Sequence, residues 1–571
     1  MRAFSLLTCL VLPLLACHST EITYVEADLV LRGGRIATVD SEFGEVEALA
    51  ISAGRVQAVG SNSEMAAFIG ANTEIIELDG RRAIPGFIDG HAHFSGIGAS
   101  MQILDLRSVA NWDEVIEMVA RAVRNAEPGD WIVGRGWHQE KWDATPADHV
   151  GGFPSHPALS AISPDNPVSL RHASGHASFF NARAMQLAGI TSATPDPTGG
   201  EILHLPSGEP SGVFSETASG LVSRVYSEQL SKRTPAEAEA ALRRSLQLAD
   251  RECLAKGVTS FQDAGTSFAT IETMRAMFDE GELDIRLWVM LGEDNEALSE
   301  HIQEWRIDGY ADHHLSVRAI KRVMDGALGS RGAWFHEPYT DMPSTTGLNT
   351  TSLKELEATA HIAAATGFQL CVHAIGDRAN TETLDIYERV LAAYPERGTD
   401  HRWRIEHAQH LSPADIPRFA RLGVVASMQG VHCTSDAPFV IPRLGEERAE
   451  SGAYVWRSLI DAGALVTNGT DAPVEDVDPL AGFYSSVTRR LANGELFYPD
   501  QRMARREALE SYTIHNARAA FEEDVKGSLT PGKLADIVIL SHDILNVSDE
   551  ELLETKVLRT IVGGRTVYQA D

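Results

Sequence analysis

His91 and His93 stand two residues apart at the end of the apolar run Ile84-Pro85-Gly86-Phe87-Ile88-Asp89-Gly90-His91-Ala92-His93. In a β-strand that spacing sends both imidazoles to one face, where two neutral rings make half of a metal site. Three further candidates close later apolar runs: His373 in Cys371-Val372-His373, His407 in Ile405-Glu406-His407, and Asp471 after Asn468-Gly469-Thr470. Alone, each reads as well as a hydrogen-bonded residue at a strand end. Together, four histidines and one carboxylate can hold two cations, provided something bridges them. Lys321, in Ile320-Lys321-Arg322-Val323, is the candidate bridge. An ammonium repels a cation, but carboxylation by carbon dioxide would make it an anionic carbamate with two oxygens. Pairing of Lys321 with Asp325 or another carboxylate is the other reading.

Such a set meets only if the fold brings distant strand ends together. Apolar stretches at 83–91, 257–263, 285–290, 319–324, 369–373, 403–407, 424–428 and 465–470 read as strands, with helical segments such as 235–256 between most of them. That alternation predicts an α/β fold, a (β/α)8 TIM barrel, whose parallel strands all end at one mouth. An open doubly wound sheet is the alternative, but no Gly-rich phosphate loop follows an early strand. The interval from His93 to Gly257 is far longer than one helix needs and carries turns such as Pro195-Asp196-Pro197-Thr198-Gly199-Gly200. A large insertion at about 94–256 is therefore expected on the mouth side, as a lid or substrate wall. Two short strands about Gly33-Gly34, a similar pair at 48–59, and echoes at 534–540 and 560–568 predict a small β-sandwich built from both chain ends. The expected division is a leader at 1–17, the N-terminal part of the sandwich at 18–82, the barrel at 83–520 and the C-terminal part of the sandwich at 521–571.

The 571 residues are 43% hydrophobic and 23% charged, ordinary for a globular chain of one very large domain or two to three smaller ones. A formal net charge of −31 argues against nucleic acid as a partner. Arg2 and the apolar stretch 4–16 read as an export signal too short to span a bilayer. Leu14-Leu15-Ala16-Cys17 resembles a bacterial lipobox, with Cys17 as the lipidated residue, although Leu15 is a less usual choice before the small residue. That reading anchors the body to a membrane surface, and the absence of aspartate after Cys17 favours the outer membrane; simple cleavage to a periplasmic or secreted protein is the alternative. Cys253, Cys371 and Cys433 are too widely spaced for a disulfide framework and read as small buried hydrophobes.

The ordered segments Gly-Phe-Ile-Asp-Gly-His-Ala-His, Val-His-Ala-Ile-Gly-Asp, Ile-Glu-His-Ala-Gln and Gly-Thr-Asp-Ala-Pro resemble the amidohydrolase superfamily. More narrowly, with Gly134-Arg135-Gly136-Trp137, Met324-Asp325-Gly326-Ala327-Leu328-Gly329-Ser330-Arg331 and Gly527-Ser528-Leu529-Thr530-Pro531-Gly532-Lys533-Leu534-Ala535-Asp536, the chain is similar to the amidohydrolase family 3 branch, which includes N-substituted formamide deformylases. The similarity runs from about Ala27 to the end. It implies the same barrel and sandwich, and a divalent centre, usually zinc. His91, His93 and Asp471 would hold the more buried ion, His373 and His407 the second, and N6-carboxylated Lys321 would bridge them. Related enzymes often carry aspartate where this chain has His138, which opens the question of specificity.

The implied reaction is hydrolysis of a carbon–nitrogen bond in a small, non-peptide amide. Metal coordination lowers the pKa of water toward about 7, giving hydroxide, while Asp471 acts as general base and then general acid. His172, His176, Gln429 and His432 are weaker candidates for substrate contacts. Asp325, Arg331 and Asp377 read equally as residues that fix loops, and Trp137 and Trp142 as packing. Two other readings stand beside this one: a cyclic-amide or ester hydrolase on the same centre, and a solute-binding lipoprotein without turnover. Monomer and homo-oligomer both stay open.

Overall fold

The computed structural model describes residues 25–570 apart from 174, 176, 198, 199 and 399, so that Cys17 and His176 lie outside the described residues. Its centre is a barrel of eight parallel strands: β1 (Phe87–Ala92), β2 (Val258–Thr266), β3 (Arg286–Leu291), β4 (Leu315–Val323), β5 (Gln369–Ala374), β6 (Arg404–His407), β7 (Val425–Gln429) and β8 (Val466–Gly469). Each pairs with the next in chain order. The seam between β8 and β1 is closed differently. Asp471 donates its backbone N–H to His91 O (2.7 Å), His93 donates to Ala472 O (2.7 Å), and the Asn516 amide donates to both Ile88 O (2.7 Å) and Asn468 O (2.8 Å). A Cβ on Gly90 would stand 2.6 Å from Asn468 O, and one on Gly469 would stand 2.4 Å from His91 N. Close approach of the two chains thus demands both glycines.

The expected strand at 83–91 is two strands. Arg82–Pro85 belongs to an outer sheet and β1 to the barrel. Pro85, without an N–H, is the last residue of the outer strand, and the chain changes sheets at Gly86. That outer sheet has six strands in the order Arg565–Gln569, Val557–Val562, Ile537–Leu540, Arg82–Pro85, Arg35–Ala37, Glu45–Val46. A four-stranded sheet, Arg55–Gly60, Ala48–Ser52, Leu29–Arg32, Glu74–Glu77, faces it. Leu29, Leu31, Ile36, Leu49, Ile51, Ala83, Ile537, Ile539 and Ile561 fill the space between them, an alternation set by the period of two. Gly33-Gly34 therefore joins strands of two different sheets. The other face of the six-stranded sheet puts Ile84, Val538 and Leu540 into the barrel's core.

Both chain ends are also tied by charge. The fully buried Arg82 guanidinium donates to Asp543 through Nε (2.8 Å) and Nη2 (2.6 Å), with Glu45 as a third partner. Asp543→Ala is expected to destabilise the fold by about 3 kcal/mol, because it strips a buried guanidinium of its best partner, read as a lower denaturation midpoint. Burial opposes ionisation of Asp543, but hydrogen bonds from Arg82 and then Asn546 outweigh it and bring the carboxyl down to about 2. A depressed carboxylate contributes stability above its unfolded pKa. This contribution is therefore lost as pH falls from the ordinary 3.8 through about 2.

Between β1 and β2 the chain builds a separate six-stranded sheet, in the order Gly200–His204, Pro210–Glu216, Ala177–Phe180, Val168–His172, Ile132–Trp137, Leu104–Asp105. Its core holds Leu106, Val115, Trp137, Leu159, Leu170 and Phe179. Trp137 is a packing residue: it is fully buried and its indole N–H donates to Leu170 O at 2.8 Å. The helix Pro235–Ala255 then returns to the barrel, started by Thr234, which shares a capping box with Glu237, and by proline at its first position. Cys253, Cys371 and Cys433 are free and buried. Among the described residues no helix is long and apolar enough to cross a membrane.

Candidate metal centre

His91 points into the barrel from the end of β1, and its orientation is fixed from behind. Its Nδ1–H donates to Glu406 Oε2 at 2.6 Å. Glu406 in turn accepts from Arg404 Nε (2.7 Å) and Nη2 (2.9 Å), and the three side chains are wholly buried. Arg404 also donates to Gly90 O, Ser427 Oγ and Gln262 Oε1. Burial alone would raise the Glu406 carboxyl, yet Arg404 and then His91 hold it far below the carboxylate range. With Nδ1 committed as donor, Nε2 of His91 carries the lone pair.

His91 Nε2 stands 3.6 Å from Asp471 Oδ1, and His93 Nε2 stands 3.3 Å from the same oxygen. The ligand atoms of His91, His93 and Asp471 all lie within 4.8 Å of one another. His407 follows at the end of β6, with its ring centroid 4.8 Å from that of His91 and 4.4 Å from that of His373. Its Nδ1–H donates to Gln429 Oε1 at 2.8 Å, so buried Gln429 orients a ring and stands behind the cavity wall. His407 and Asp471 both take left-handed backbone, φ 74° and 57°, a conformation that non-glycine residues adopt at a cost.

Burial drives the imidazoles below their ordinary pKa, helped by the Lys321 charge: His91 to about 4, His373 to about 3, and His407 well below its ordinary value, there with His373 as the next contributor. They are neutral at neutral pH, the form that ligates. Asp471 is held far down: burial opposes its charge, but His93 and His407 more than compensate. His91 Nε2, His373 Nε2, His432 Nε2 and Asp471 Oδ1 are buried with no hydrogen-bond partner among the described residues. Buried orphan acceptors are costly, and nitrogen and carboxylate donors are what a borderline divalent cation uses. Two donors about 2.1 Å from a tetrahedral ion stand about 3.4 Å apart, close to the separations found around Asp471. The residues fit a divalent metal.

His93, His373, His407 and Asp471 form the floor of a cavity of about 940 Å3 that also reaches Lys321, Asp325, Gln409 and His432, with His91 wholly buried beneath it. Its wall comes from the inserted sheet, through His138, Gln139, Arg171 and His172. His172 Nε2 is 3.1 Å from Gln139 Oε1, and its ring meets Trp137 edge-on at 4.8 Å. Asp325 accepts from the backbone N–H groups of Trp334, Ile375 and Gly376 and so braces the loop after β5, with one oxygen 3.5 Å from His373 Nε2. Asp377 accepts from His336 N–H, and Arg331 pairs with Asp341.

Arg404 and Glu406 are absent from the residues singled out by sequence. The signal was present: two charges at spacing i, i+2 in one buried strand share a face, the one toward the barrel interior. Glu406→Gln is expected to weaken metal binding by about 10–100-fold, read by chelator competition, since it loosens His91 and leaves Arg404 underpaired.

Residues 74–568 match the model of the amidohydrolase family. The chain is 37% identical to Protein LONG AFTER FAR-RED 3 of Arabidopsis thaliana, over 95% of this chain and 92% of that protein. It is 29% identical to an N-substituted formamide deformylase of Arthrobacter pascens, over 95% of this chain and 98% of that enzyme. A crystal structure of a metal-dependent hydrolase from Pyrococcus horikoshii has TM-score 0.72 and 27% identity, covering 91% of this chain and 99% of that one.

Proposed function

The chain belongs to the amidohydrolase family, and on that premise we propose that it hydrolyses a carbon–nitrogen bond in small, non-peptide amides at a two-zinc centre. The observation that carries this reading is the set of orphaned buried atoms, His373 Nε2 and Asp471 Oδ1 on the cavity floor and His91 Nε2 beneath it. His91, His93 and Asp471 would hold one cation; His373 and His407 would hold the other. The chemistry a divalent ion would supply there, when bound, is acidification of water and polarisation of a carbonyl. Asp471 accepts the proton of the attacking water on a carboxylate oxygen and returns it to the departing nitrogen, so that amide and water give acid and amine. Glu406 and Gln429 keep the His91 and His407 tautomers fixed throughout.

Lys321 is the bridge in this proposal. Burial lowers its pKa despite nearby Glu406 and Asp471, which favours the neutral amine that adds to carbon dioxide, releasing one proton and leaving a carbamate. We propose further that Cys17 carries a lipid and holds the enzyme at a bacterial membrane surface. The name of the Arthrobacter relative makes N-substituted formamides the first substrates to assay, beside other acyclic amides, cyclic amides and esters. Release of amine from acyclic amides supports the proposal. Turnover of esters alone, with metal bound, would replace it.

A further inference from the structure

One buried imidazole on this cavity has no place in the ligand sets above. His432 lies in the first turn of the helix Gly430–Leu444, directly after β7, and is 7% exposed. Its Nε2 has no hydrogen-bond partner among the described residues and stands 3.7 Å from Asp471 Oδ2, too far for a hydrogen bond. His407 stacks beside it, with ring centroids 6.1 Å apart and planes within 20°. The ligand atoms of His407, His432 and Asp471 lie within 4.8 Å of one another, and all three residues are buried. A histidine kept for packing would leave neither a lone pair nor an N–H stranded this close to a carboxylate.

The far side of the ring is anchored as a ligand's would be. Gln409 places its side-chain amide 3.1 Å from His432 Nδ1, and the Gln409 oxygen is itself buried without a partner. A side-chain amide can present either end. With its oxygen toward Nδ1–H, Gln409 satisfies that oxygen and fixes the tautomer whose Nε2 lone pair faces Asp471. Gln429 already holds His407 in this way.

We infer that His432 is a metal ligand, forming with His407 and Asp471 a cation position on the cavity side of the centre. The inference rests on the metal-dependent reading and adds a donor to it. Asp471 would then border both cation positions, and His432 would supply its donor from the wall of the cavity.

Cobalt(II) binding tests this on the full chain, followed by visible d–d absorption and chelator competition, for wild type, His432→Ala and His432→Gln. Both variants are expected to bind cobalt at least about tenfold more weakly at one position, no less than the loss seen for a supporting partner, with an altered spectrum. The glutamine variant keeps most of the volume and decides the matter if the alanine variant melts early without metal. Unchanged affinity and spectrum in His432→Gln, even with a raised KM, would overturn the inference and make His432 a substrate contact. Failure of wild type to bind cobalt at all would remove the metal-dependent reading and this inference with it.

Discussion

Asp471→Asn is expected to lower turnover about a thousand-fold while the protein still binds metal. The substitution keeps the shape of the side chain and one coordinating oxygen, so His91, His93 and the remaining histidines retain most of the cation affinity. It removes the carboxylate assigned to take a proton from water and return it to nitrogen. Asp471 is buried, its Oδ1 lies 3.3 Å from His93 Nε2, and its carboxyl is held well below its ordinary value, with burial opposing and His93 the largest of the lowering contributions. The check is paired: metal content and kcat measured on the same sample. Activity that falls only in proportion to lost metal would reassign Asp471 to ligation alone, and near-normal turnover would remove it from the mechanism.

Lys321→Met is the second large effect. An unbranched apolar side chain fills the space but cannot be carboxylated. The expected outcome is one cation per chain in place of two, with turnover reduced on the order of a thousand-fold. Native mass spectrometry of the wild type should show a mass increment of one carbon dioxide that the variant lacks. Wild type that holds two cations with an unmodified Lys321 would leave the carbamate without support. Lys321 lies buried on β4 close to the charges of Glu406 and Asp471, and Glu406 is already engaged by Arg404 and His91.

The barrel was legible because its strands are largely buried on both faces and read as predominantly apolar runs, although β2, β4 and β6 carry polar and charged residues. Their ends are legible too: His91, His373, His407 and Asp471 each break such a run, and one mouth collects them. Three features were harder to read. The run 83–91 hides a change of sheet, since both halves are equally apolar and only Pro85 marks the break. The inserted sheet pairs Ile132–Trp137 in parallel with both Val168–His172 and Leu104–Asp105, long-range choices that local periodicity does not encode. His432 is the third. It is read from sequence only as a candidate substrate contact, because a lone histidine just inside a helix carries no periodic signal, and its reading as a ligand comes from its placement against Asp471, His407 and Gln409.

The central claim, metal-dependent hydrolysis on this cavity floor, is tested most directly by the rate of amine release from an acyclic amide. The assay compares protein as purified, stripped by chelator, and reloaded with zinc. The rate is expected to vanish on stripping and to return on reloading in proportion to bound metal. Turnover that survives complete stripping would contradict it.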